Sequence, residues 1–194
     1  MSKWLFFILT GLALSNAVGG IFNYKSFSLE MIVAILLLIG FILTAIRFSF
    51  GFVSAIDEEV GRRDKNLVRL LIDLHFYLLN AVFFVVIAKN IYESNHYWFY
   101  VSFCLMLFID VVWIVYDHFI KEINLSGARL KDKARLQFIA SDILMIAVLM
   151  SFLFFWINDR VILEAVQSIV FVGLSVFAVI WDYSANKKYY EKRK

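Results

Sequence analysis

The sequence predicts an all-α, polytopic membrane protein with six transmembrane helices and both termini cytoplasmic. Three observations predict it. Of 194 residues, 62% are hydrophobic and the mean hydropathy is +0.80, whereas a soluble domain lies nearer half apolar. The apolar residues gather into runs of about 20, the length that crosses a bilayer core as helix. The basic residues fall almost wholly on alternate connections, and cytoplasmic loops carry such an excess.

The runs are Trp4–Phe22, Leu29–Phe50, Leu67–Ala88, Trp98–Ile120, Leu136–Ile157 and Val161–Tyr183. In the first, Lys3 and Ser15-Asn16-Ala17 imitate a secretory signal, but the segment is read as a retained first span. Gly11, Ser15 and Gly19 recur there every four residues, a spacing that marks close helix–helix contact, either within one protomer or between protomers. Connection 51–66 carries Asp57-Glu58-Glu59 and then Arg62-Arg63-Asp64-Lys65. Connection 121–135 carries Ser126-Gly127 as a turn and then the alternating charges Arg129, Lys131, Asp132, Lys133 and Arg135. Such charge patterning suits helices that project from the membrane into water. The tail 184–194 ends the chain with Lys187, Lys188, Lys192, Arg193 and Lys194. The opposite side bears only Lys25, Lys89 and Arg160. No hydrophilic stretch is long enough to fold alone, so residues 1–194 form one transmembrane domain.

Pro is 0, which removes the commonest cause of sharp kinks and favours straight spans. Phe is 21 and Ile, Asn, Lys and Tyr are plentiful; this bias fits an AT-rich gene and points to a bacterial inner membrane. The lone Cys104 excludes an intrachain disulfide framework and a cysteine zinc site, and reads as a small buried hydrophobe.

Ionisable groups at membrane depth cost about 2.5–3.5 kcal/mol each at a helix centre and normally face protein or water. Helical spacing places each on a face. The fourth run aligns Asp110, Trp113 and Asp117; the third aligns Asp73, Tyr77 and Asn80. The second aligns Gly40, Thr44 and Arg47, the fifth Arg135 with Asp142, and the sixth Ser175, Ala178 and Asp182. Asp110 lies deepest, roughly 15 Å from the cytoplasmic end. One reading is a cytoplasm-facing polar cavity centred on Asp110 and walled by Trp113, Asp117, Asp73, Tyr77, Asn80, Asp142 and Arg47. The plainer reading is mutual pairing, with Arg47 or Arg69 neutralising an aspartate on a neighbouring helix. His75 and His118 lack ligand-spaced partners and read as ordinary hydrogen-bonded histidines. Trp4, Tyr97, Trp98, Tyr100, Trp156, Trp181 and Tyr183 read as interface belts.

No serine elbow, His-Glu-x-x-His motif or glycine-rich phosphate loop is present. The expectation is therefore a protein that is not an enzyme, with no catalytic residues, cofactor or metal ligands and no direct nucleic-acid binding. Two functions are compatible with the remaining features. The first is an oligomeric sensor, scaffold or effector that meets membrane lipid and docks a cytosolic protein. Its docking residues would be Arg62, Arg63, Lys65, Arg129, Lys131, Lys133, Lys187 and Lys188. The second is a small ion channel or solute transporter centred on Asp110.

With its basic loops Arg62-Arg63-Asp64-Lys65 and Ala128–Arg135, its small size and its multi-pass layout, the chain resembles the membrane subunit of the Kiwa antiphage defence pair. The resemblance spans the whole chain in size and layout. It implies an oligomeric inner-membrane sensor or scaffold that holds a cytosolic DNA-binding partner, and it transfers no catalytic residue.

Overall fold

A computed structural model describes the backbone of residues 2–60, 67–121, 129–154 and 161–191, and the side-chain surroundings of 7–49, 71–116, 136–154 and 162–184. The described residues are helical apart from short turns, with no strand among them. The helices are α1 (Ser2–Phe22), α2 (Leu29–Val60), α3 (Leu67–Tyr92), α4 (His96–Lys121), α5 (Arg129–Phe154) and α6 (Val161–Glu191). Five of them contain stretches long and apolar enough to cross a membrane: Leu29–Ser49, Leu71–Tyr92, His96–Tyr116, Leu136–Phe154 and Ile162–Ser184. In α1 the part of the apolar run whose side chains are described, Phe7–Phe22, is shorter.

Local chemistry sets the turns between helices. Ser28 caps α2 by accepting a hydrogen bond from the Met31 N–H on its hydroxyl (3.3 Å). Asn95 does the same for α4, its side-chain oxygen accepting from the Trp98 N–H (3.4 Å). Ser94 adopts φ 53°, and the Asn95 N–H donates to the Asn90 carbonyl at 2.8 Å, closing α3 into α4 within a few residues.

Successive helices run in opposite directions. Side-chain bonds fix this: Arg47 late in α2 reaches Asp142 early in α5 and Asp182 late in α6. Trp113 late in α4 donates to Asp73 early in α3. Around the bundle the helices follow the order α1, α3, α4, α5, α6, α2, which closes back on α1. The starts of α1, α3 and α5 therefore share one end with the ends of α2, α4 and α6. This is the end towards which the basic connections lie. At the opposite end the Tyr24 hydroxyl meets the Ser94 hydroxyl at 2.6 Å, joining two turns.

The interior is aromatic. Phe171 of α6 stands edge-on to Phe99 (5.4 Å, 86°) and Phe103 (4.9 Å, 85°) of α4, the geometry that ring quadrupoles favour. Gly40 of α2 faces the same ring: a Cβ there would meet Phe171 Cε1 at 2.3 Å. Large apolar side chains also stand exposed on the outside of the bundle, among them Ile143, Met150, Phe154, Ile162 and Ile180. Contiguous apolar exposure on this scale suits lipid rather than water. Cys104 is a free, buried thiol, as expected of a small hydrophobe.

The structure bears on three sequence expectations. The close contact marked by Gly11, Ser15 and Gly19 is not made within the bundle: Gly11 and Ser15 are exposed, and a Cβ on Gly11 or Gly19 would meet nothing within 4 Å. The face of α1 that packs carries Thr10, Ala13, Ala17 and Gly20 instead. Tyr100 is not a belt residue. It is 1% exposed, among Phe99, Phe152 and Phe171, while Trp98, Trp181 and Tyr183 do lie outside. Lastly, α2 continues unbroken to Val60, so much of connection 51–66 is helix; α5 likewise begins at Arg129. These are projecting helices of the kind that the alternating charges predict.

Candidate functional site

The residues that charge and helical spacing single out converge on Arg47. It lies within the apolar run Leu29–Phe50 of α2, on a face kept slender by Gly40 and Thr44. Its side chain is 3% exposed, so every polar atom on it needs a partner. Nε donates to Asp182 Oδ2 of α6 and Nη1 to Asp142 Oδ1 of α5. Nη2 donates to the Ser141 hydroxyl at 2.7 Å. The Ser141 hydroxyl in turn donates to the Phe138 carbonyl (2.9 Å), with Asp182 Oδ1 at 3.4 Å. The guanidinium also packs on the rings of Phe138 and Phe48, 5.4 and 5.9 Å from their centroids, where a cation meets the negative face of the π system.

Asp110 enters from α4. It is 6% exposed, and the charged groups around it are Asp142, Arg47 and Asp182. Four helices thus meet at one centre holding three carboxyl groups and one guanidinium. Among the described residues, Asp142 Oδ2 is buried and receives no hydrogen bond.

A second polar group sits between α3 and α4. The Trp113 indole N–H donates to Asp73 Oδ1 at 3.1 Å, and the Tyr77 ring stands edge-on to the indole at 5.5 Å. Asn80, fully buried, donates to the Phe76 carbonyl of its own helix at 3.1 Å. The residues proposed to wall a cavity are thereby divided. Arg47, Asp142 and Asp110 come together, whereas Asp73 and Trp113 form their own hydrogen-bonded pair with the Tyr77 ring against the indole. The side chain of Asp117 lies outside the described ones. So do those of Arg129, Lys131, Lys133, Lys187 and Lys188, and Arg62, Arg63 and Lys65 fall outside the described residues altogether. His75 is an ordinary hydrogen-bonded histidine, its Nδ1 2.6 Å from the Leu71 carbonyl.

Asp182, on the aligned stripe of the sixth run, is 4% exposed and is one of the two carboxylates on Arg47, the mutual pairing that the plainer reading expects. Sequence reasoning missed one part of the polar framework. At the other end, buried His96 meets Glu164 across α4 and α6, Nδ1 to Oε2 at 2.8 Å. Glu164 lies inside an apolar run, and that position was the signal that could have flagged it. Among the described residues no group of three or more His, Cys, Asp or Glu is arranged to hold a metal ion.

Comparison with family models, with curated proteins and with solved structures finds no match for this chain.

Proposed function

We propose that this is a six-crossing bacterial inner-membrane protein with both termini in the cytoplasm, acting as an oligomeric sensor or scaffold that docks a soluble protein on its basic face. One observation carries the reading. Three of the four helices joined at the Arg47 centre run on past their apolar stretches at the basic end. α2 continues to Val60 through Asp57, Glu58 and Glu59, α6 to Glu191 through Lys187 and Lys188, and α5 starts at Arg129 ahead of Leu136. At about 1.5 Å per residue these charged extensions reach roughly 6–12 Å beyond the apolar runs. A rearrangement at the centre is therefore carried into the surface that a partner meets. The alternation of all six helices supports the even number of crossings, and the basic residues support the orientation. A place in antiphage defence rests on the likeness in layout to the Kiwa membrane subunit.

Charge reversal at Arg129, Lys131 and Lys133 tests this reading. Arg129→Glu, Lys131→Glu and Lys133→Glu together are expected to abolish co-purification of the cytosolic partner while leaving membrane insertion intact. Co-purification unchanged from the parent chain would overturn the docking role.

A second reading, an ion or solute pathway centred on Asp110, is favoured by the excess of carboxyl groups over guanidinium at the centre. In proteoliposomes Asp110→Asn is then expected to change flux relative to the parent chain, and absence of flux in both would dispose of it.

A further inference from the structure

The four helices of the Arg47 centre, α2, α4, α5 and α6, meet a second time at mid-depth, and there they meet in aromatic rings. Along α6 the inward strip changes chemistry with depth: Glu164, Gln167 and Ser168, then Phe171, then Ser175 and Asp182. α4 runs in the same direction and repeats the order, with His96, then Phe99, Tyr100 and Phe103, then Asp110. Polar groups thus lie at both ends of the interior, and an aromatic layer divides them. Phe171 sits near the middle of the apolar stretch Ile162–Ser184. Its ring stands against Phe103, Phe99 and Tyr100, with centroids 4.9, 5.4 and 6.2 Å away. Phe152 of α5 meets Tyr100 at 5.6 Å. On the α2 side the ring fills the place that a Cβ on Gly40 would take. Phe171, Phe99 and Phe103 offer water no hydrogen-bonding atom, and a constriction of this kind closes a path by dewetting.

The polar groups on either side of the layer are not fully satisfied by the protein. At the end opposite the basic connections His96 Nδ1 meets Glu164 Oε2 at 2.8 Å. Among the described residues, however, His96 Nε2 and Gln167 Oε1 are buried without a hydrogen-bond partner there, as Asp142 Oδ2 is at the basic end. Buried polar atoms are ordinarily paired with protein or with water. The side chain of Glu164 is 22% exposed, so its group opens to the surroundings. We infer that Phe171 is the gate of a pathway for a small monovalent cation, closed between an outer recess at His96, Glu164 and Gln167 and the Arg47 centre within. Glu164 stands on the outer side of the ring, and Asp110, Asp142 and Asp182 outnumber Arg47 on the inner side, which favours a cation over an anion. Movement of the ring off Gly40 joins the two polar regions. The gate deepens the second reading, the pathway centred on Asp110, and rests on it.

The test is potassium flux from proteoliposomes of the full chain. Phe171→Ala is expected to raise it severalfold over the parent chain, with potassium preferred to chloride. Phe84→Ala removes another fully buried ring, one that packs on Phe41 and Phe48, and should leave flux at the parent level. Flux through Phe171→Ala equal to the parent's, or an equal rise in Phe84→Ala, overturns the gate. Should Phe171→Ala fail to fold, thiol labelling decides. Gln167→Cys and Ser175→Cys, each in a Cys104→Ala chain, are expected to react with a small charged thiol reagent from opposite faces of the membrane. Neither reacting, or both reacting from one face, overturns the gate as well. If Asp110→Asn changes flux while Phe171→Ala does not, the gate fails and the pathway stands. If parent, Asp110→Asn and Phe171→Ala all carry no potassium, gate and pathway fail together.

Discussion

Arg47→Leu is expected to be the most destabilising single substitution at the polar centre. It removes the one cation that Asp142 and Asp182 share and leaves both carboxylates buried without it. Breaking a buried ion pair from one side costs about 3–5 kcal/mol, because the surviving charge stays in a medium that cannot solvate it. The loss should appear as a lower unfolding midpoint of the full chain in mixed micelles. The same principle predicts the rescue. Adding Asp142→Asn and Asp182→Asn to Arg47→Leu removes the stranded charges and should restore most of the stability, since a neutral, well-filled core is often as stable as a buried pair. Failure of the triple variant to recover would mean that Arg47 acts through its packing on Phe48 and Phe138 rather than through its charge.

Gly20→Ala and Gly19→Ala are expected to change stability in opposite directions, although they are neighbours on one helix. A Cβ on Gly20 would lie 2.5 Å from the Tyr92 Cα of α3. The obstacle is backbone, so α1 itself must move, at a cost of about 1–3 kcal/mol for an overpacked contact. Gly40→Ala should cost no more than this, since its obstacle is the ring of Phe171, which can turn slightly within its aromatic neighbours. On Gly19 the added methyl meets nothing within 4 Å, and alanine's higher helix propensity should gain up to about 1 kcal/mol. Unfolding midpoints of the three variants check the order. A destabilising Gly19→Ala would show that a second copy of the chain covers that face of α1.

The polar stripes were legible from spacing, because a residue every three or four positions returns to the same side of a helix. Gly40, Thr44 and Arg47 do face inward together, as do Asp73, Tyr77 and Asn80, Asp110 and Trp113, and Ser175, Ala178 and Asp182. Charge alternation likewise announced that α2 and α5 outlast their apolar stretches. The matching of stripes was not legible. Arg47 was free on paper to meet any of several aspartates, and the neighbours that α2 has in the bundle select Asp142 and Asp182 over Asp73.

Two outcomes share a cause. Gly11, Ser15 and Gly19 mark a contact that the bundle does not make within itself, and Tyr100, expected in an interface belt, is buried. In water, an apolar side chain has one favourable destination. In lipid the surroundings are as apolar as the interior, so hydrophobicity no longer separates inside from outside. Composition and period therefore settled that the chain is a set of apolar helices and which face of each holds its polar groups. Which helices adjoin, which acids gather on Arg47, and which small residues face a neighbour depend on close contacts between helices, and those exist only once all the helices have packed.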